Sequence, residues 1–174
     1  MNIFADSVVL RAIEPDDNEL LLELINDPDT EKMLGGSSFP VSTVAQAKWI
    51  ADQIGKNDIL RCIIADPKEP KRGFGTVILS DIDRKNGVAQ VHLKLVGSAR
   101  GKGYGTAALK AMVCYAFRQM RLYCVYAHVL EYNEASQKLF QHCGFLKEGR
   151  LRARAYKDGT YVDAISYSIL NDDI

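Results

Sequence analysis

The chain has 174 residues, the length of one domain (residues 1–174), with 47 % hydrophobic and 25 % charged residues, enough to build a core without staples. Its 22 basic residues balance 22 acidic ones, and zero net charge argues against nucleic-acid binding through a broad basic surface. The longest apolar run, residues 111–117, falls far short of the roughly 20 residues of a membrane span, so no membrane partner is expected. Residues 1–6 lack the charged and apolar regions of a signal peptide. Cys62, Cys114, Cys124 and Cys143 lie in apolar segments, without a C-x-x-C pair or a histidine at ligand spacing. They read as reduced thiols of a cytoplasmic protein, with neither disulfide nor metal expected.

Residues 7–13 alternate weakly and predict a first strand. Asp16 and Glu19 form a capping-box pattern ahead of Leu20, Leu21, Leu24 and Ile25, which predicts a helix ending near Asp27-Pro28. Gly35-Gly36 and Pro40 mark a loop, and Thr43 with Gln46 opens a second helix carrying Val44, Ala47, Trp49, Ile50 and Ile54. Strands over 59–65 and 73–82 follow, and Asn86-Gly87 predicts a hairpin into a strand over 88–96. Leu109, Met112, Val113, Ala116 and Phe117 recur at helical spacing. Residues 122–130 are apolar at both parities, as in a central strand covered on two faces. Asn133 caps a helix bearing Leu139 and Phe140, and Gly144 sits at its C-terminal cap. Two strands, 146–156 and 160–170, flank the hairpin signal Asp158-Gly159. The order β-α-α-β-β-β-α-β-α-β-β predicts one α/β domain with a mixed sheet.

The segment Arg100-Gly101-Lys102-Gly103-Tyr104-Gly105-Thr106 joins a strand to a helix. Glycines there let a ligand approach the backbone, and the free amides of the first turn hold an anion such as a pyrophosphate. Arg100 and Lys102 add charge for the same phosphates. A glycine-rich connection without a ligand is the plainer alternative. G-x-x-x-x-G-K-[ST] is absent, the kinase H-R-D and D-F-G partners are missing, and G-x-G-x-G is not the Rossmann spacing. The loop points to phosphate without naming a nucleotide.

Arg100-x-x-Gly103-x-Gly105, set between a strand and a helix, resembles the R/Q-x-x-G-x-G/A signature of the GNAT N-acetyltransferase superfamily. The stretch from Asn133 through Ala135, Leu139, Phe140, Gly144 and Phe145 is similar to the family's N-x-x-[AS]-x-x-L-[YF]-x-x-x-G-F segment. Glu148-Gly149-Arg150 and the run from Tyr156 to Asp163 resemble the branch of ribosomal-protein N-terminal and polyamine acetyltransferases. The resemblance implies a mixed, mostly antiparallel twisted sheet flanked by helices. It also implies acetyl-CoA as co-substrate, wedged between the strand ending near Val96 and the strand over 122–130. Backbone groups of Leu95 and Val96 are then expected on the pantetheine arm, the amides of residues 101–106 on the pyrophosphate, and Asn133 on the pantetheine. For Asn133 a plain helix cap explains residue and position equally well.

The reaction implied is acetyl transfer to a primary amine, a protein N-terminal α-amine being slightly favoured over a polyamine or aminoglycoside-like amine. A catalytically poor acyl-CoA-binding protein is the alternative of another class. His128, five residues before Asn133, is the candidate base, because an imidazole with pKa near 6.5 suits proton abstraction at neutral pH. A core histidine is the competing reading, and His92 and Glu131 are weaker candidates. Many relatives place a proton-donating tyrosine seven residues after the asparagine, where this chain has Phe140. Cys143, Ser136 and Tyr132 lie near enough to substitute, and spacing selects none of them. Arg150, Arg152 and Arg154 alternate along one strand, flanked by Lys147 and Lys157, as a solvated face or a contact for an acidic substrate or second subunit. A homodimer is left open.

Overall fold

The computed structural model describes residues 1–36, 39–53 and 58–174. Its strands are β1 (Ile3–Phe4), β2 (Val9–Arg11), β3 (Leu60–Ala65), β4 (Gly73–Asp83), β5 (Val88–Leu95), β6 (Cys124–Leu130), β7 (Leu146–Lys157) and β8 (Thr160–Leu170). Its helices are α1 (Asn18–Asn26), α2 (Pro28–Met33), α3 (Thr43–Ala51), α4 (Tyr104–Arg118) and α5 (Glu134–His142). The strands form one sheet in the order β1-β2-β3-β4-β5-β6-β8-β7, with only β5 and β6 parallel. The mixed, mostly antiparallel sheet matches expectation. No helix among the described residues is long and apolar enough to cross a membrane.

Both expected hairpins form, but only one through a two-residue turn: between Asp83 and Val88 the chain spends four residues, and of Asn86-Gly87 only Gly87 has positive φ, 69°. Asp158 and Gly159 have φ of 46° and 84°, the left-handed pair of a two-residue turn between β7 and β8. Across the sheet, Gly75, Val77 and Leu79 lie opposite Leu95, Leu93 and Val91. Leu93 and Leu95 lie at contact distance from the start of α4 at Gly105, so α4 covers this face. Thr76, Ile78 and Lys94, on the opposite face, line a space shared with Leu21 and Leu24 of α1 and Trp49 of α3.

The N-terminal half departs from expectation in instructive ways. Asp17, rather than Asp16 with Glu19, organises the start of α1: buried Asp17 accepts the Glu14 amide at 2.8 Å and two hydrogen bonds from the Arg11 guanidinium at 2.7 Å each. The first helix ends at Asn26, beside Asp27-Pro28 as expected, but Pro28 then opens a further helix that was not expected. It stands at the first position of α2, where its missing N–H costs nothing, and the Asp27 carboxylate caps the amides of Asp29 and Thr30. Ser42, preceding Thr43, caps α3; Ile54 lies outside the described residues. The strand expected over 122–130 forms from Cys124, but only Val125, Ala127 and Val129 are buried as a face. On its other face Leu130 is buried, but Cys124 and Tyr126 are only half-buried and His128 is exposed, so the covered-on-both-sides expectation fails at those three residues.

Candidate active site

The two parallel strands part company after three residue pairs. Val88, Ala89 and Gln90 face Cys124, Val125 and Tyr126, and beyond them β5 and β6 splay apart. The opening leads into a cavity of about 500 Å³ lined by both strands, α5 and the segment after α2. The Val96 amide donates to the Phe74 carbonyl at 3.0 Å. By the alternation of an antiparallel ladder, the main-chain groups of Leu93 and Leu95 therefore point away from β4, into the opening. Of the two residues expected on the pantetheine arm, Leu95 faces the opening with its carbonyl accepting from Arg100 Nε, whereas the Val96 amide serves Phe74 and its carbonyl accepts the Ala99 amide.

At the mouth of the cleft, Gly101 and Gly103 adopt φ of 72° and 83°. Nothing stands within 4 Å of where a side chain would begin at either, so the loop's backbone is open to a ligand. Gly103 caps α4 without a side-chain acceptor, and the first helical bond runs from Ala107 to Gly103. The amides of Tyr104, Gly105 and Thr106 thus point out of the helix unpaired, at its positive end. Lys102 is exposed beside them. Arg100 behaves otherwise: its guanidinium donates to Thr30 at 2.8 Å, Asp27 at 3.1 Å and the Leu95 carbonyl at 3.2 Å. These bonds tie the loop to α2, with the Arg100 side chain still about half exposed beside the glycines. The Tyr104 ring stacks on Phe74 at 4.1 Å.

His128 and His92 both line the cavity, from β6 and β5. Partial burial, then the nearby Arg154 charge, holds the His128 imidazole below its ordinary 6.5. Burial likewise lowers His92, whose Nε2 lies 2.8 Å from Ser80 Oγ; Ser80 in turn donates to Asp81 at 3.0 Å. Glu131 does not reach the cavity and pairs with Arg150 at 3.0 Å. Buried Phe140 lines the cavity and packs edge-on against Phe145, at 5.0 Å, and over Tyr167. Of the three hydroxyl or thiol groups nearby, Ser136 alone lines the cavity, one helical turn before Phe140. Tyr132 donates to the Lys32 carbonyl, and Cys143 is buried against Thr106. Asn133 accepts the Ser136 amide at 3.1 Å and donates to the Met33 carbonyl at 3.2 Å, so its cap role is realised and both ends of its amide are engaged.

The sequence model of the acetyltransferase (GNAT) domain matches residues 7–146. This chain belongs to the GNAT acetyltransferase family. It is 27 % identical to the SPbeta prophage-derived uncharacterized N-acetyltransferase YokL of Bacillus subtilis, over 97 % of this chain and 92 % of the relative. It is 28 % identical to the putative ribosomal N-acetyltransferase YdaF of the same organism, over 95 % and 92 %. A crystal structure of spermidine N-acetyltransferase from Vibrio cholerae with CoA and spermine superposes with a TM-score of 0.88. It covers 96 % of this chain and 97 % of that one at 24 % identity, a likeness of fold.

Around this GNAT cleft, several charged side chains escape a strand-alternation reading. The three arginines do not share a face, because β7 bulges between Leu151 and Ala155, with Ala153 at φ 50°. Arg150 bonds Asp163 at 2.8 Å on the outside, whereas Arg154 lines the cavity. Lys157 is not a solvated flank: it is 8 % exposed and donates to Glu31 Oε1, the Glu31 carbonyl and the Gly36 carbonyl at 2.5–3.0 Å. Lys94, which follows Gln90 and His92 at the alternate positions of β5, also reaches the cavity.

Proposed function

We propose that this chain transfers the acetyl group of acetyl-CoA to a primary amine, a protein N-terminal α-amine before a polyamine. The observation that carries this reading is the splayed β5–β6 cleft, which joins an anion-receptive helix start to a cavity holding a neutral histidine. The residues fit the co-substrate. Unpaired amides of Tyr104, Gly105 and Thr106, with Gly101, Lys102 and Gly103 beside them, would hold a pyrophosphate. The inward main-chain groups of Leu93 and Leu95 would pair with an extended amide-bearing arm, and Asn133 would join them on exchanging its bond to Met33. Acetyl-CoA supplies the activated acetyl thioester.

The chain's own residues supply proton handling. His128, held neutral by burial and Arg154, accepts a proton from the incoming ammonium group. Freeing a lysine-like amine at neutral pH costs roughly 4–5 kcal/mol, against about 1 for an α-amine of pKa near 8, so a base this weak suits a chain terminus. Phe140 has no proton to give. The Ser136 hydroxyl, on the same face of α5, hydrogen-bonds the departing thiolate instead. Relatives include both a putative ribosomal N-acetyltransferase and spermidine N-acetyltransferases, so the α-amine preference rests on the proton balance above.

The test is thiol release from acetyl-CoA over a panel of amines, with His128→Gln as the variant. We expect turnover on an α-amine, and a loss of about 10²-fold or more in kcat on substitution with unchanged acetyl-CoA affinity. An unchanged rate removes His128 from the chemistry. Tight acetyl-CoA binding without turnover of any amine would identify a catalytically poor acyl-CoA-binding protein.

A further inference from the structure

The cavity beside His128 has a neighbour on the α1 and α3 side of the sheet. A second space of about 340 Å³ lies under α1 and α3 and shares Leu24, Ile25, Ile78 and Lys94 with the first. Its walls are apolar, chiefly Ile13, Leu21, Val41 and Trp49, and its charged members are Arg61 and Lys94. The Arg61 guanidinium lies over the Trp49 ring at 5.6 Å. Lys94 stands where the two spaces meet, partly buried, with no carboxylate partner among the described residues; burial alone holds its ammonium below the ordinary range.

The charges that face these two adjoining spaces are uneven. Lys94, Arg61 and Arg154 are cationic, and the histidines add no negative charge. Glu31 is the one carboxylate among the described lining residues, and Lys157 already neutralises it at 2.5 Å. Positions 37–38 and 54–57 carry no Asp or Glu. A polyamine placed here meets like charges and no free carboxylate. A partly desolvated lysine beside an apolar pocket instead calls for an anion on a molecule whose remainder is apolar.

We infer that the acceptor is an amine with an apolar body and a carboxylate, its amine at His128, its carboxylate on Lys94, and its apolar body against Trp49 with Arg61 beyond. This inference rests on the acetyl-transfer reading above and narrows its acceptor. The carboxylate can belong to a free α-amino acid or to an acidic residue next to a peptide N-terminus, since the chemistry at Lys94 is the same.

The experiment measures thiol release at saturating acetyl-CoA for matched pairs: leucine against leucinamide, and Leu-Glu amide against Leu-Gln amide, with spermidine as the cationic reference. In each pair the amine is retained and the anion removed. We expect about a tenfold higher kcat/KM for the carboxylate member of one pair, the value of one charged hydrogen bond. The first pair identifies an amino acid as the source, the second an acidic peptide. Lys94→Met should bring that ratio close to one, and Arg61→Met should lower it, with acetyl-CoA binding checked to show that each variant is folded. Equal rates within both pairs, faster turnover of spermidine than of every carboxylate, or a ratio that survives both substitutions would overturn the inference and leave acetyl transfer standing. No thiol release with any amine would overturn the acetyl-transfer reading, and this inference with it.

Discussion

His128 and His92 face one cavity from neighbouring strands, and both are pushed toward the neutral form. A histidine whose folded pKa lies below its unfolded 6.5 is unprotonated at neutral pH and ready to accept a proton. The unfolded chain takes up its proton first as pH falls through that value, so the stability cost appears on the acid side. The acidic limb of kcat/KM is therefore expected below 6.5. Arg154→Met removes the like charge that assists burial, so the limb should move upward while staying below 6.5, because burial, the larger cause, persists. A pH–rate profile of the variant checks this. A limb that ignores Arg154→Met and shifts with His92→Gln would transfer the role of base to His92.

At the scale of the element, β5 is the working strand: one edge is closed by β4, and beyond Gln90 the other is left open to the cleft. Its fit against β4 depends on Gly75, where a Cβ would lie 2.0 Å from the Lys94 carbonyl oxygen and 2.9 Å from the Leu95 Cα. Both obstacles are backbone, so Gly75→Ala must pry the strands apart, at a cost of about 3 kcal/mol. Gly101→Ala meets open space and costs roughly 1 kcal/mol through its left-handed φ alone. Urea unfolding of both variants checks the contrast, and equal losses would contradict it. The hairpins, α4 and its glycine loop were legible in the sequence because their signals are local. α2 was not, since Pro28 reads equally as a stop and as a first helical residue. Neither was the β7 bulge, because Ala153 carries no mark of its left-handed conformation. Arg100 and Lys157 find their carboxylate partners 73 and 126 residues away, a pairing that no local pattern encodes.

Across the whole molecule, the segment from Asp27 to Gly36 is fastened to three regions that are distant in sequence. Arg100 holds it from the glycine loop, Tyr132 and Asn133 from the entrance to α5, and Lys157 from the end of β7. The segment forms one wall of the cavity, through Glu31, Met33, Leu34, Gly35 and Gly36. Lys157→Met therefore acts in two ways. It strips a buried ammonium from three oxygens, and because Glu31 keeps about a third of its side-chain surface in water and can rehydrate, the loss is about 2 kcal/mol rather than that of a fully buried pair. It also leaves the Glu31 carboxylate unneutralised in a cavity whose charge otherwise favours anions. The expected outcome is a modest fall in stability by urea unfolding, together with a shift in relative kcat/KM from carboxylate-bearing amines toward spermidine. A fall in stability with unchanged acceptor preference would show that Lys157 anchors the wall without setting the sign of the cavity's charge.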